Sequence, residues 1–246
     1  MNIIIKNDRF YIGQGQDEID NKSFTIFFDS YNEALIKSIA KTKIILGATT
    51  TEKYKTLSFK AISVQTFSDF QCELERKNKS LKIPYNLVLK MTHNLVTQLK
   101  YLISHFSQTF LGYSPENLIV IDKHKFVYLC DEFLLDIKNE NDNNNNNKNV
   151  TISYPFTRDD FFMAPELYCI KEIPSFVNYK VSYFSLGCLI LFGLLGDDDF
   201  IKEDCVEDLQ QIKKHLDSLI IKNTKLYWLL ERCLVEEPTN RSILFF

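Results

Sequence analysis

Six cysteines, Cys72, Cys130, Cys169, Cys188, Cys205 and Cys233, carry the most reactive side chains of the chain, and each stands alone. A structural zinc site needs closely spaced Cys or His pairs, and none is present, nor is any C-x-x-C redox pair. Reduced, buried thiols are the expected state, which points to an intracellular protein, cytoplasmic or nuclear. A second set of polar side chains brackets two apolar runs in LGYSPENLIVIDKHKFVYLCDEF, residues 111–133: Glu116 and Asn117 lie before them, Asp131 and Glu132 after. Two glycines, Gly13 and Gly15, fall in IGQGQDE, the composition of a tight hairpin turn.

The elements that must position these residues follow from periodicity. Residues 1 to about 65 alternate the short β-like runs NIII, RFYI, SFTIFF and TLSFKAISV with one helical segment, SYNEALIKSIAKTK, for which Asp29 or Ser30 is the expected N-cap. Helices then dominate. PYNLVLKMTHNLVTQLKYLISHF starts with Pro84 and repeats Val88, Met91, Leu95, Leu99, Leu102 and Phe106 on one face. Val206, Leu209, Ile212, Leu216 and Leu219 repeat the pattern, and TKLYWLLERCL follows as a shorter helix. NLIVIDKHKFVYL reads as a hairpin turning at DKHK. The run 139–149, NENDNNNNNKN, has no apolar residue to bury and is expected to be a disordered surface insertion.

Composition limits the function classes. With 246 residues, 45% hydrophobic and 13% aromatic, the chain can bury one large core or two modest lobes. A net charge of −3 supplies no basic footprint, so neither nucleic acid nor an anionic membrane is an expected partner. MNIIIKNDRFYIG has too short an apolar run for a signal peptide. VSYFSLGCLILFGLLG, residues 181–196, falls short of the ~20 apolar residues of a membrane span and is expected as a buried core helix.

Five segments in order carry a resemblance: SPENLIVID, YLCDEF, FFMAPELY, YFSLGCLILFGLLG and LLERCLVEEPTNR. Together they resemble the C-terminal lobe of the eukaryotic protein-kinase superfamily over about residues 69–246. The resemblance implies an α+β, two-lobe fold, with a small β-rich lobe over 1–68 and a mainly helical lobe over 69–246. Aligning Pro115-Glu116-Asn117 with the family's P-E-N puts Ser114 on its lysine, Gly112 on its catalytic aspartate, Leu111 on its arginine and Phe110 on its histidine. Asn117 and Asp131 match the metal-binding pair and would hold magnesium on ATP. Asp131 is followed by Glu132 and Phe133 rather than Phe-Gly.

The front lobe departs further from the pattern. Gly13 and Gly15 match two positions of the nucleotide-covering loop, but Glu18 occupies the third, where a carboxylate would repel phosphate. Phe28 falls near the expected strand lysine, and Glu33 would lack its partner. The resemblance pairs Glu166 with Arg241, and puts Ser182 on an aspartate that fastens the catalytic-loop backbone, so that bond is expected to weaken. The implied function is a catalytically inactive pseudokinase acting as a protein-binding or regulatory module. The alternative is a divergent active Ser/Thr-type kinase using Glu116 or Asp131 as base. A third reading is an interaction protein whose pocket is filled by its own side chains, with Phe28 and Glu132 pointing in.

Overall fold

The computed structural model describes residues 1–15, 22–51, 55–142, 145–157, 161–196 and 209–243. Three of the expected positions, Glu18, Cys205 and Val206, lie outside the described residues. The fold is mixed α+β with antiparallel sheets. Strands β1 (Asn2–Lys6), β2 (Phe10–Gln14), β3 (Lys22–Phe28), β4 (Thr49–Thr50) and β5 (Thr56–Ala61) form a five-stranded sheet in the order β1-β2-β3-β5-β4. Alternation sets its faces: Phe24, Ile26 and Phe28 of β3 are buried together with Leu57, Phe59 and Ala61 of β5. Helix α1 (Glu33–Ala40) follows β3 and buries Leu35, Ile36 and Ile39. Its N-cap is Asn32, not Asp29 or Ser30, because the Asn32 side chain is the one that reaches the Leu35 N–H, at 2.9 Å.

The chain leaves this sheet at Ile62 and Ser63, whose N–H groups both donate to Asp122 Oδ1 at 2.7 and 3.3 Å. Strand β6 (Val64–Thr66) then pairs with β8 (Leu118–Ile121), which pairs with β9 (Lys125–Tyr128). Between them run α2 (Phe67–Asn78), α3 (Tyr85–Phe106) and the short strand β7 (Gln108–Phe110). The expected apolar face of α3 is the buried one: Val88, Met91, Leu95, Leu99 and Leu102 are all buried, and Phe106 packs at its edge. The hairpin turns at Asp122 and Lys123, both with positive φ, and the Lys125 ammonium pairs with Asp122.

Strands β10 (Leu134–Asp142), β11 (Asn145–Ile152) and β12 (Ser175–Asn178) join β7 in a second sheet ordered β12-β11-β10-β7. The asparagine-rich run therefore differs from the expectation of disorder. Residues 137–142 pair in register with 145–150, and backbone ladder bonds need no apolar side chain to form. Helix α4 (Pro165–Tyr168) precedes β12, and α5 (Val181–Leu195) is buried along nearly its whole length, as a core helix. Helices α6 (Leu209–Ser218) and α7 (Lys225–Cys233) complete the body. Among the described residues no helix is long and apolar enough to cross a membrane.

Arg241 fastens these last elements. Its side chain is fully buried, and every guanidinium N–H finds an acceptor. The terminal nitrogens Nη1 and Nη2 donate to the Glu166 carboxylate at 2.6 and 2.8 Å, and Nε and Nη2 donate to the Val235 and Glu236 carbonyls at 2.8 Å each. Nη1 also reaches the Lys180 carbonyl at 3.5 Å, and the guanidinium lies 5.0 Å from the Phe184 ring. Arg241→Ala strands the Glu166 charge and is expected to lower unfolding free energy by about 3–5 kcal/mol. Urea unfolding followed by circular dichroism measures it. Arg241→Lys is expected to recover little, because an ammonium lacks the planar fork.

Candidate functional site

The segment from β7 to β8 is held from three sides. Phe110, Tyr113 and Tyr128 pack edge to face or tilted, with ring centroids 4.6–5.3 Å apart. The Tyr128 hydroxyl donates to the Gly112 carbonyl and accepts the Ser114 N–H, both at 3.1 Å. Gln98 of α3 grips β9 from below: its Nε2 donates to the Tyr128 carbonyl at 2.9 Å, and its Oε1 accepts the Tyr128 N–H at 3.1 Å. The same Nε2 lies 3.3 Å from Ser38 Oγ of α1, which ties the front sheet's helix to this loop. Ser114 acts as a turn cap, its Oγ accepting the Glu116 N–H at 3.3 Å.

Helix α5 anchors the loop through two serines. The expectation of a weakened anchor at Ser182 is resolved one turn later, where Ser185 Oγ accepts the Tyr113 N–H at 2.7 Å. Ser182 Oγ takes the Thr109 hydroxyl at 2.8 Å instead. The Tyr113 hydroxyl is buried without a hydrogen-bond partner. Burial pushes the phenols of Tyr113 and Tyr128 well up, and the Cys130 thiol up as well, so none of them is an anion at neutral pH. The loop's interior offers no base.

Gly112 occupies the decisive position. It is buried, and a Cβ built on it would lie 1.9 Å from Cδ2 of Phe161 and 2.4 Å from its Cγ. The Phe161 ring therefore fills the space into which any side chain at 112 would project. Phe161 stacks edge-on against Phe133 at 4.8 Å and lies 5.6 Å from Phe156, so the plug is an aromatic layer.

Asn117 and Asp131 are brought to the same end of the β8–β9 hairpin. The Leu129 N–H donates to the Asn117 carbonyl at 2.9 Å, and Asp131 stands two residues further along. Asp131 is engaged by Ser30, whose hydroxyl donates to its Oδ2. Glu132 forms an ion pair with Arg9 from the turn before β2, and the Tyr154 hydroxyl donates to the Glu132 carbonyl at 2.6 Å. Partial burial opposes the Arg9 charge, but the hydrogen bond and field of Glu132 outweigh it. Glu132 is thus turned to a partner at the rim, while Phe28 is buried opposite Phe10. Glu116 is exposed. Among the described residues no three His, Cys, Asp or Glu side chains converge on a metal position.

The front sheet offers no phosphate cradle among the described residues. Gly13 lies inside β2, opposite Ile3 and Thr25, and the Gly15 N–H donates to Ser23 at 2.8 Å. Gly13 pairs within the β2–β3 ladder, Gly15 follows the last paired residue, Gln14, and residues 16–18 of the same run lie outside the described residues. A Cβ at Gly13 would meet the Met1 sulfur at 2.5 Å, so close packing accounts for that glycine. The β1–β2 turn itself is Asn7-Asp8-Arg9, without glycine. Strand β3 has lysine only at its first residue, Lys22, which is exposed. Glu33 pairs with Lys37 one turn along its own helix, and the Tyr31 hydroxyl donates to it at 3.0 Å.

Arg9, Ser30, Phe161, Gln98, Tyr154 and Ser185 do not stand out in the sequence. Their partners lie far along the chain, 22 residues away for Tyr154 and 101 for Ser30, and Arg9 and Glu132 are farther apart still. Gly112 alone carried a usable signal, since a glycine inside an apolar segment marks close approach by something bulky. No protein-family model matches the chain, and no curated protein matches it.

Two substitutions test this geometry. Gly112→Ala is expected to destabilise by about 1–3 kcal/mol through overpacking, and Phe161→Leu in the same chain is expected to relieve part of that cost, a coupling that a double-mutant cycle measures. Ser185→Ala leaves the buried Tyr113 N–H unpaired, and a loss of about 1–3 kcal/mol in urea unfolding is expected.

Proposed function

We propose that this chain is a degenerate member of the protein-kinase-like superfamily, a two-lobe pseudokinase that serves as a protein-binding or regulatory module inside the cell. The observation that carries the reading is the aromatic plug: the residue aligned with the catalytic aspartate is a glycine, and Phe161 occupies the volume a carboxylate would need. Phosphoryl transfer requires a group that orients the attacking hydroxyl and cations that stabilise the moving phosphoryl charge. Gly112 and Ser114 supply neither.

The arrangement in front of the loop agrees with this reading. Strand β3 carries a lysine only at its exposed first residue, Lys22, Glu33 is satisfied on its own helix, and the turn that reaches Glu132 is Asn7-Asp8-Arg9, without glycine. The residues present do not fit a bound magnesium nucleotide as a set. Asn117 and Asp131 alone match the family's cation ligands, and one Asp131 oxygen already takes the Ser30 hydroxyl. ATP with magnesium remains a ligand that this pair would hold only weakly. The retention of the Glu166–Arg241 pair beside a vacated site is what selection for a scaffold, rather than for chemistry, leaves behind.

The test is calorimetric titration of the purified protein with ATP in magnesium and then in EDTA, followed by a phosphotransfer assay on a generic protein substrate. The expected outcome is no binding tighter than about 1 mM, the weak end of specific recognition, and no transfer. Metal-dependent transfer abolished by Asp131→Ala would overturn the reading in favour of a divergent active kinase.

A further inference from the structure

We propose that the β1–β2 turn is a latch: Arg9 and the adjacent Ser30 fasten the Asp131-Glu132-Phe133 loop, and release of these contacts is what lets that loop move. The inference deepens the reading above, since it concerns control of the same site. Its basis is a convergence of contacts from neighbouring strand ends onto consecutive residues. Phe10 stands opposite Phe28, and the Asp29 N–H donates to the Arg9 carbonyl at 3.2 Å, so Arg9 and Ser30 leave the sheet side by side. Arg9 then pairs with Glu132, and Ser30 with Asp131.

The turn is built to aim. Asn7 Oδ1 accepts the N–H groups of both Arg9 and Phe10, at 2.9 and 2.8 Å, which fixes the backbone from which the guanidinium projects. The receiving loop is gripped from its other side by the Tyr154 hydroxyl on the Glu132 carbonyl. Its ends are held by the Leu134 N–H on the Asp131 carbonyl, at 3.2 Å, and by the Leu111 N–H on the Phe133 carbonyl, at 2.7 Å. The latch contacts differ from these in lying at the rim, with the Arg9 side chain 41% and the Glu132 side chain 34% exposed. An exposed ion pair and one hydroxyl bond are weak enough to open on their own. The Phe133–Phe161 layer beneath keeps the body folded when they do.

Hydrogen exchange by mass spectrometry on the full chain tests the latch. Arg9→Ala is expected to speed amide exchange in residues 129–135 by about 2–5-fold, the range of a lost rim contact, with the urea midpoint nearly unchanged. The double variant Arg9→Glu with Glu132→Arg is expected to return most of the protection. Unchanged exchange in Arg9→Ala, or a double variant that exchanges as fast as the single one, overturns the latch. Failure of the latch is separable from failure of the pseudokinase reading, which the transfer assay decides.

Discussion

A buried arginine with all of its donors satisfied is the constraint on which the larger part of the molecule depends. Arg241 comes from the end of the described chain, yet it sits under α4, the start of α5 and the turn after α7, and binds a group in each. Removing a guanidinium from water is costly, and the cost is offset only when every N–H has an acceptor of good geometry. That condition requires Glu166, Lys180, Val235 and Glu236 to arrive at fixed places together. Helix α5 is positioned by it, and α5 in turn carries Ser182 and Ser185, which hold β7 and the loop that follows.

The loop after β7 is fixed by its main chain rather than by the side chain at position 112. Its backbone is anchored by Ser185, Tyr128 and, through Tyr128, by Gln98, all buried and all hydrogen-bonded. These bonds act on main-chain groups, so they are indifferent to the side chain at position 112. With only a hydrogen at position 112, the adjacent volume must be filled by a neighbour, because an interior void forfeits dispersion contacts. Phe161 fills it. Any larger side chain at 112 would require moving an aromatic ring packed against Phe133 and Phe156.

Much of the architecture was legible in the residue order. Alternating apolar runs located β2, β3 and β5, short continuous apolar runs located β8 and β9, which are buried on both faces, and the three-to-four repeat located α3 and its buried face. The asparagine-rich run was misjudged for the complementary reason: side-chain composition says whether a segment has a face to bury, but β10 and β11 are joined by backbone bonds that composition does not encode. Gly13 carried an ambiguous signal, because a glycine accommodates a tight turn and a close packing contact equally well, and only the ladder and the Met1 side chain against it distinguish them.

What the sequence determined by itself is local or paired by charge: element types, the isolated thiols, the absence of a carboxylate at 112, and the candidates Asn117, Asp131, Glu166 and Arg241. What only the tertiary structure decided is which groups face one another. The Phe161 ring over Gly112, Arg9 on Glu132, Ser30 on Asp131 and Ser185 on the Tyr113 amide all join segments distant in the chain. None of these side chains is unusual where it stands, and each acquires its role from the neighbour that packing delivers. Periodicity reports the environment an element needs, whereas a contact depends on how several elements settle around one buried charge.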